Sequence, residues 1–512
     1  MINHRIKHQV WTSILFFLSG LFSIPFITAQ APVTGPNFLV IFSDDLNTKI
    51  GPYMDVEGHT PNLDRLAAEG VRFSRAYCQY PLCGPSRASI MSGLYPETNG
   101  ELNNDNMPGS YRKNNPKLSD HPSMAGFFKE RGYFTARVSK IFHMGVPGGI
   151  ERGEPGGDEP DSWDYTYNVM APETLSPGKL ELLSPKNHHY GSNFARLVVD
   201  DELAETQADY MAASQAIAIL ESRAADAAEP GTNKQKLKKN SPFFLAVGFV
   251  RPHVPFVAPK NCFEHYAEEE MILPEVSVGD NVPEPALRRQ NDRIWGMDEW
   301  QKKQTIAAYL ASVRFMDQQV GRLLDALDRL DLRRETIVVF LSDHGYNLGE
   351  HDCWSKTSLW EGSVRVPMII SAPDSDFKSR YGNVCEDIVE LIDLYPTLGE
   401  LGGLQGELPE ILQGESLVPY LKVDGEVNRE KDYAYTISYR GAASSLRTDQ
   451  WRYTVWAGDE GEEMEELYDH QSDPEELVNV ADRAEYREIL DSLRGRLASI
   501  KNSSRSGSSP ED

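Results

Sequence analysis

At 512 residues, with 40% hydrophobic and 25% charged residues, the chain is too long for one simple core, and no internal stretch approaches membrane-spanning length. One large domain with a smaller appendage is expected. The formal net charge of -26 makes the surface as a whole repel anions, which argues against nucleic acid as a partner. Any polyanionic substrate must be met by a local basic pocket.

The chain opens on a segment that reads as an export signal. Arg5 and Lys7 precede an apolar run from Trp11 to Phe26, and small residues near Thr28 and Ala29 resemble a signal-peptidase site. Residues 1–29 are therefore expected to be removed and the protein to be secreted or periplasmic. Ser19, Gly20, Ser23 and Pro25 weaken a retained helix, so no stable membrane anchor is expected. Cys78, Cys83, Cys262, Cys353 and Cys385 are an odd number for an exported chain. If one is functional, the other four allow three pairings or remain free.

Short apolar runs at Phe38 to Phe42, Phe243 to Val250, Ile337 to Leu341 and Val366 to Ile370 read as buried parallel strands. Amphipathic patterns at Pro61 to Glu69, Asp200 to Ala224 and Trp300 to Leu330 read as helices, the last broken in two. Residues 228–240, with four lysines, read as an exposed loop. The pattern predicts an α/β fold with a large mixed, mostly parallel sheet flanked by helices. From about Arg429 the character changes. Tyr433, Tyr435, Ile437 and Tyr439 alternate, Ser445 to Asp449 and Trp451 to Tyr453 follow, and a helix is expected near Glu485 to Ile500. The expected division is a main domain over 30–425, a small α+β subdomain with an antiparallel sheet over 426–501, and a disordered Ser-rich tail over 502–512.

Chemistry gathers where the strands end. The first run closes on Ser43-Asp44-Asp45, the second on Arg251-Pro252-His253, and the third on Ser342-Asp343-His344-Gly345. In an open α/β sheet these C-terminal ends form the ligand crevice, so distant segments converge there. A single Asp after a strand is commonly a helix cap. Repeated Asp-Asp and Asp-His pairs point to a metal site instead, and the oxygen donors of Asp44, Asp45 and Asp343 with His344 suit calcium or magnesium. His344 leaves zinc or manganese open, or serves as an outer hydrogen-bonding residue.

Cys83-Gly84-Pro85-Ser86-Arg87 is the most specific motif. Pro85 suits a first helical turn, and a helix N-terminus with Ser86 and Arg87 as donors favours an anion such as sulfate. A soft thiol is mismatched to a hard-cation site, so either the metal is soft or the cysteine is modified.

With Ser92-Gly93 following, this motif resembles the formylglycine signature of type I sulfatases. Thr60 to Ala67, Gly132-Tyr133, Ser342 to Gly345, Leu467 to Asp469 and Asp473 to Glu475 are also family-like, and the resemblance covers nearly the whole mature chain. The nearest likeness is to the iduronate-2-sulfatase branch, through Lys140 to His143, Arg251 to Phe256, Leu348 to His351 and Trp354 to Lys356. Two departures are mild: Gly84 replaces a small polar residue or alanine, and Ser92 stands where threonine is common.

The resemblance implies an alkaline-phosphatase-like fold, one calcium per subunit held by Asp44, Asp45, Cys83, Asp343 and His344, and a formylglycine-generating enzyme as maturation partner. It implies His253 as general acid for the leaving oxygen, Lys140 and Lys356 on the sulfate oxygens, Arg87 holding residue 83, and His143 as base toward the second hydroxyl. Singly, these residues have plainer readings as surface lysines and a packed loop histidine. His351 and Trp354 are weaker candidates, and Arg365 reads as a structural ion-pair partner. The implied substrate is a sulfated oligo- or polysaccharide, such as a terminal 2-O-sulfated uronic acid. Arg447 and Arg452 would grip its carboxylate, unless they merely tie the small sheet to the main domain. The competing functions are a phosphodiesterase or phosphonate monoester hydrolase of the same superfamily, and a non-catalytic binder of sulfated glycans if Cys83 stays a thiol.

Overall fold

In the computed structural model, strand Asn37–Asp44 is buried along its whole length, yet its side chains serve two separate cores. Leu39 and Ile41 pack with residues of helices Pro61–Ala68, Ala208–Ala228 and Glu299–Arg329. Phe38, Val40 and Phe42 pack with helices Cys83–Ser92, Met124–Glu130 and Leu394–Leu401. Side chains alternate across a strand, so an unbroken apolar run is what a strand covered by helices on both faces requires.

That strand lies inside an eight-stranded sheet whose order is Asn383–Glu390, Val71–Tyr77, Arg365–Ser371, Thr336–Ser342, Asn37–Asp44, Phe243–Pro252, Phe134–Ser139 and Tyr165–Tyr167. Its pairings are parallel except at Arg365–Ser371, which runs antiparallel to both neighbours. The run Val366 to Ile370 was expected to be parallel, and the structure corrects this. A strand buried on both faces carries no direction in its composition. A three-stranded sheet joins Gly178–Leu182, Ala195–Val199 and Phe256–Pro259.

Two further expectations change. The pattern over Trp300 to Leu330 forms one unbroken helix, Glu299–Arg329, opened by an Asp298/Gln301 capping box. Gly321 within it is needed for packing: a Cβ there would lie 2.3 Å from Asn62 Oδ1. The pattern over Asp200 to Ala224 begins as a 3-10 turn, Asp201–Thr206, before the helix Ala208–Ala228.

At the C-terminal end, Tyr433–Ser438, Ala443–Thr448, Trp451–Ala457 and Glu463–Asp469 form a four-stranded antiparallel sheet. Helix Arg487–Ser506 packs on it through Leu490, Leu493, Leu497 and Ile500. This helix runs through residues 502–506, where a disordered tail was expected. The sheet is fastened to the segment leading into Cys83: Ile437 N–H donates to the Gln79 carbonyl at 3.0 Å and Thr436 Oγ1 to the Cys78 carbonyl at 2.6 Å.

The structure describes residues 34–53, 58–105, 107–186, 193–228, 241–276, 278–279, 281–372, 382–422, 429–458 and 462–506, within one unit spanning Val33–Asp512. The expected signal segment over 1–29 and the lysine-rich stretch over 229–240 lie outside the described residues. Among the described residues, no helix is long and apolar enough to cross a membrane. All five cysteines are buried and unpaired.

Candidate active site

Strand register brings the site together. Ser43 lies opposite Ser342 and Asp44 opposite Pro252, so the residues that follow these strands arrive at one edge. Ser139 pairs with Gly248, which delivers Lys140 beside them. A Cβ on Gly248 would lie 1.9 Å from the Lys140 carbonyl oxygen, so this close approach needs glycine.

Helix Cys83–Ser92 is buried throughout and points its first turn into the cluster. Leu82 gives no side-chain cap; Asn104 Oδ1 accepts from the Gly84 N–H at 2.8 Å instead. The Ser86 hydroxyl donates to the Asp343 carbonyl, and Arg87 Nε donates to Asp343 Oδ2 at 2.7 Å. Arg87 also reaches the carbonyls of Lys140, Ile141 and Ser43, and lies 3.7 Å from Asp44 Oδ1. Serine and arginine of the motif thus tie the helix to three strand ends. Burial works against the Arg87 charge, but Asp343 and Asp44 outweigh it and hold its pKa above the ordinary value.

Asp44, Asp45, Cys83 and His344 present ligand atoms within 4.8 Å of one another. Cys83 Sγ lies 3.3 Å from His344 Nε2, 3.2 Å from Lys356 Nζ and 3.8 Å from Asp45 Oδ1. His344 Nδ1 sits 2.9 Å from the Gly345 carbonyl, which can only accept, so Nδ1 carries the hydrogen. In the neutral ring Nε2 then turns its lone pair toward Asp45 Oδ1, 3.2 Å away. Asp44 Oδ1 is buried without a hydrogen-bond partner among the described residues. Facing acceptors and an orphaned carboxylate oxygen suit a cation, and the oxygen-rich set suits a hard one. Asp343, expected as a fifth ligand, borders this group. Its Oδ2 takes Arg87, while Oδ1 accepts from the N–H groups of Asp45 at 3.1 Å and His344 at 3.0 Å.

Both expected lysines are here. Lys140 Nζ pairs with Asp44 Oδ2, and Lys356 Nζ lies 2.7 and 3.0 Å from the two oxygens of Asp45. Burial disfavours the Lys356 ammonium, but Asp45, Cys83 and Asp44 outweigh it and hold its pKa well above the usual range. Burial likewise opposes the Asp44 carboxylate, and Lys140, His253 and Arg87 overcome it, so its pKa is held well below the usual range.

His253 donates from Nδ1 to the Val254 carbonyl at 2.6 Å, leaving Nε2 free, 3.9 Å from Asp45 Oδ2. Burial pulls its pKa down to about 4. Nδ1 of His143 is buried without a hydrogen-bond partner among the described residues, and burial, then Lys140, holds its pKa well below the usual range. Burial and Asp44 push the Cys83 thiol up, so an unmodified residue 83 stays neutral at physiological pH.

Arg447 and Arg452, expected at the substrate carboxylate, are engaged elsewhere. Arg452 pairs with Glu361 and Glu476, and Arg447 Nε lies 3.3 Å from Glu361 Oε1; the two are 1% and 4% exposed. They join the small sheet to the segment before strand Arg365–Ser371, and Arg365 faces the same Glu361 at 3.5 Å. His351 stacks on Trp360 with ring centroids 4.0 Å apart, and Trp354 is buried against Phe194. Two contributors escaped the sequence reading. Asn104 sits in a polar stretch with no signal of its own. Tyr309 accepts from the Asn47 N–H at 2.8 Å and donates to the Asp45 carbonyl at 2.9 Å, so it steadies Asp45 at φ +67°.

Comparison with known proteins assigns the chain to a family. The sulfatase family model matches residues 36–404, and a model described as N-sulphoglucosamine sulphohydrolase, C-terminal, matches residues 349–503. A sulfatase of Formosa agariphila is 32% identical over 91% of this chain and 87% of its own. The iduronate 2-sulfatase of Mus musculus is 30% identical over 95% of this chain and 98% of its own. Among solved structures, one in complex with its substrate D-glucosamine-2-N,6-O-disulfate superposes with a TM-score of 0.70 at 22% identity, covering 94% of this chain and 100% of that one, which speaks to the fold. The model match over the catalytic fold, together with relatives aligned along almost the full length, shows that this chain belongs to the sulfatase family and is a sulfuric ester hydrolase.

Proposed function

We propose that the chain is an exported sulfatase that removes the 2-O-sulfate of a uronic acid, or of a related sugar, at the end of a polysaccharide, after Cys83 has been oxidised to formylglycine. The observation that carries this reading is the position of Cys83 at the head of a buried helix, among Asp44, Asp45 and His344 and within reach of Lys356. A thiol has no use among hard-cation donors, whereas an aldehyde hydrate is an oxygen ligand. The iduronate 2-sulfatase relative, and the resemblance of the motifs around Lys140, His253 and Lys356 to that branch, support the sugar assignment. The apolar run after Arg5 and Lys7 supports export.

Calcium would be held by Asp44, Asp45, His344 and the modified residue 83, with Asp343 Oδ1 at the edge of the set. When bound it supplies positive charge that lowers the pKa of a coordinated hydroxyl. Hydrated formylglycine supplies two hydroxyls on one carbon, one to attack sulfur and one whose deprotonation releases sulfate. Lys140 and Lys356 hold the non-bridging sulfate oxygens and neutralise their growing charge. His253 turns Nε2 toward the leaving ester oxygen, its Nδ1–H being tied to Val254, and gives that oxygen a proton from the doubly protonated ring, which a pKa of about 4 makes a minor form at neutral pH. His143 takes a proton at Nδ1 from the second hydroxyl. Arg87 keeps Asp343 and the strand ends in place. A formylglycine-generating enzyme is the required maturation partner.

Desulfation assays on protein made with that enzyme test this. A 2-O-sulfated uronic acid disaccharide should be consumed much faster than nitrophenyl sulfate, because remote contacts position the ester. Rapid turnover of choline or aryl sulfates with intact sulfated sugars would overturn the substrate, and preferred turnover of phosphonate monoesters would overturn the reaction.

A further inference from the structure

A cleft of about 450 Å³ opens beside the residues just described. It is continuous with them along the chain: Leu82 precedes Cys83, Thr357 follows Lys356, and Asn104 holds the first turn of the Cys83 helix. Three arginines from two distant segments line it, Arg288 and Arg289 from one and Arg440 from the other.

Their partners set them apart from the other arginines near the site. Arg447 and Arg452 are neutralised by Glu361 and Glu476. Arg288 instead lies over the Tyr439 ring at 4.8 Å, Arg289 Nε donates to Thr357 Oγ1 at 3.1 Å, and the Arg440 backbone N–H donates to the Tyr80 hydroxyl at 2.9 Å. Among the described residues, no carboxylate lies at ion-pair distance from any of the three. In a chain of net charge -26, three unneutralised guanidinium groups in one cleft are an exception that needs a cause. The wall is also held against local preference: Thr357, Tyr439 and Arg440 have φ of +79°, +49° and +59°, which non-glycine residues rarely adopt.

We propose that Arg288, Arg289 and Arg440 bind a second anionic group of the substrate, a carboxylate or a further sulfate carried by the same sugar or its neighbour. The enzyme thereby selects saccharides with at least two anionic groups over sulfate esters that carry one. Guanidinium forks match the oxygens of either group in bidentate fashion. The role expected of Arg447 and Arg452 falls to Arg440 of the same small sheet and to Arg288 and Arg289 of a distant segment. This proposal rests on the sulfatase reading and names what that site selects.

The test compares wild type with an Arg288→Ala/Arg440→Ala variant on a 2-O-sulfated uronic acid disaccharide, a doubly sulfated glucosamine and nitrophenyl sulfate. On at least one of the two dianionic sugars kcat/KM should fall about 10- to 100-fold further than on nitrophenyl sulfate, chiefly through KM. Lysine at both positions should restore part of it. The sugar that suffers identifies the bound group as carboxylate or sulfate. Arg288→Ala alone, at an exposed position, serves if the double variant melts early. Equal losses on all three substrates, or none on either sugar, overturn the proposal. If wild type cleaves no sulfate ester, the sulfatase reading fails, and calorimetric titration of the same sugars then decides the cleft. Binding lost in the variant upholds it, and no binding to wild type overturns it.

Discussion

His344 Nε2 faces Asp45 Oδ1 across 3.2 Å, with the other imidazole nitrogen already committed to the Gly345 carbonyl. This pair predicts a cation. Calcium added to chelator-treated protein should bind once per chain and raise the unfolding temperature, by about 2.7 kcal/mol of stability at a hundredfold excess over Kd. Asp45→Asn should weaken both effects. Stoichiometric zinc, with no response to calcium, would show that the ligand set has been assigned to the wrong ion.

Gly248 offers a second check, because it lets Lys140 reach Asp44. Gly248→Ala places a methyl group against the Lys140 carbonyl and should cost about 1–3 kcal/mol of stability. The displaced lysine should lower kcat by about 100-fold or more. Wild-type turnover in the alanine variant would mean that Lys140 does not need this placement.

Arg452→Ala should act on stability. It removes the cation shared by Glu361 and Glu476, leaving the first to Arg447 and Arg365 and the second to His470, a loss of up to about 3–5 kcal/mol on urea unfolding. A raised KM at unchanged stability would return Arg452 to the substrate.

The same network predicts an acid limb. Burial opposes the Glu476 carboxylate, but Arg452 and His470 overcome it and hold its pKa at about 2 against an ordinary 4.5. A carboxylate depressed in the folded state stabilises fully above its unfolded pKa, and that contribution disappears as pH falls through 4.5 toward 2. Urea unfolding between pH 7 and 3 should show a smaller acid-induced loss in Glu476→Gln than in wild type. Parallel curves would remove Glu476 from the balance.

Much of the site was legible because chemistry sits directly after apolar runs. Asp44, Asp45 and His344 follow strands that read clearly, and Cys83 heads a motif with its own signature. The direction of Arg365–Ser371 was not legible, since a strand covered on both faces has no directional pattern. Strand Val71–Tyr77 was missed because Arg72, Ser74 and Arg75 break its apolar run. Arginine roles were hardest. Whether Arg452 or Arg440 meets substrate depends on where Glu361 and Glu476 lie, 91 residues from Arg452 in one case, and composition holds no record of that distance.

The central claim is the chemical state of residue 83. A mass spectrum of the tryptic peptide spanning Cys83, from protein made with a formylglycine-generating enzyme, tests it most directly, alongside desulfation by the same sample. The account predicts an aldehyde at residue 83 in the active fraction, and no turnover from Cys83→Ala. An intact thiol in protein with full sulfatase activity would contradict it.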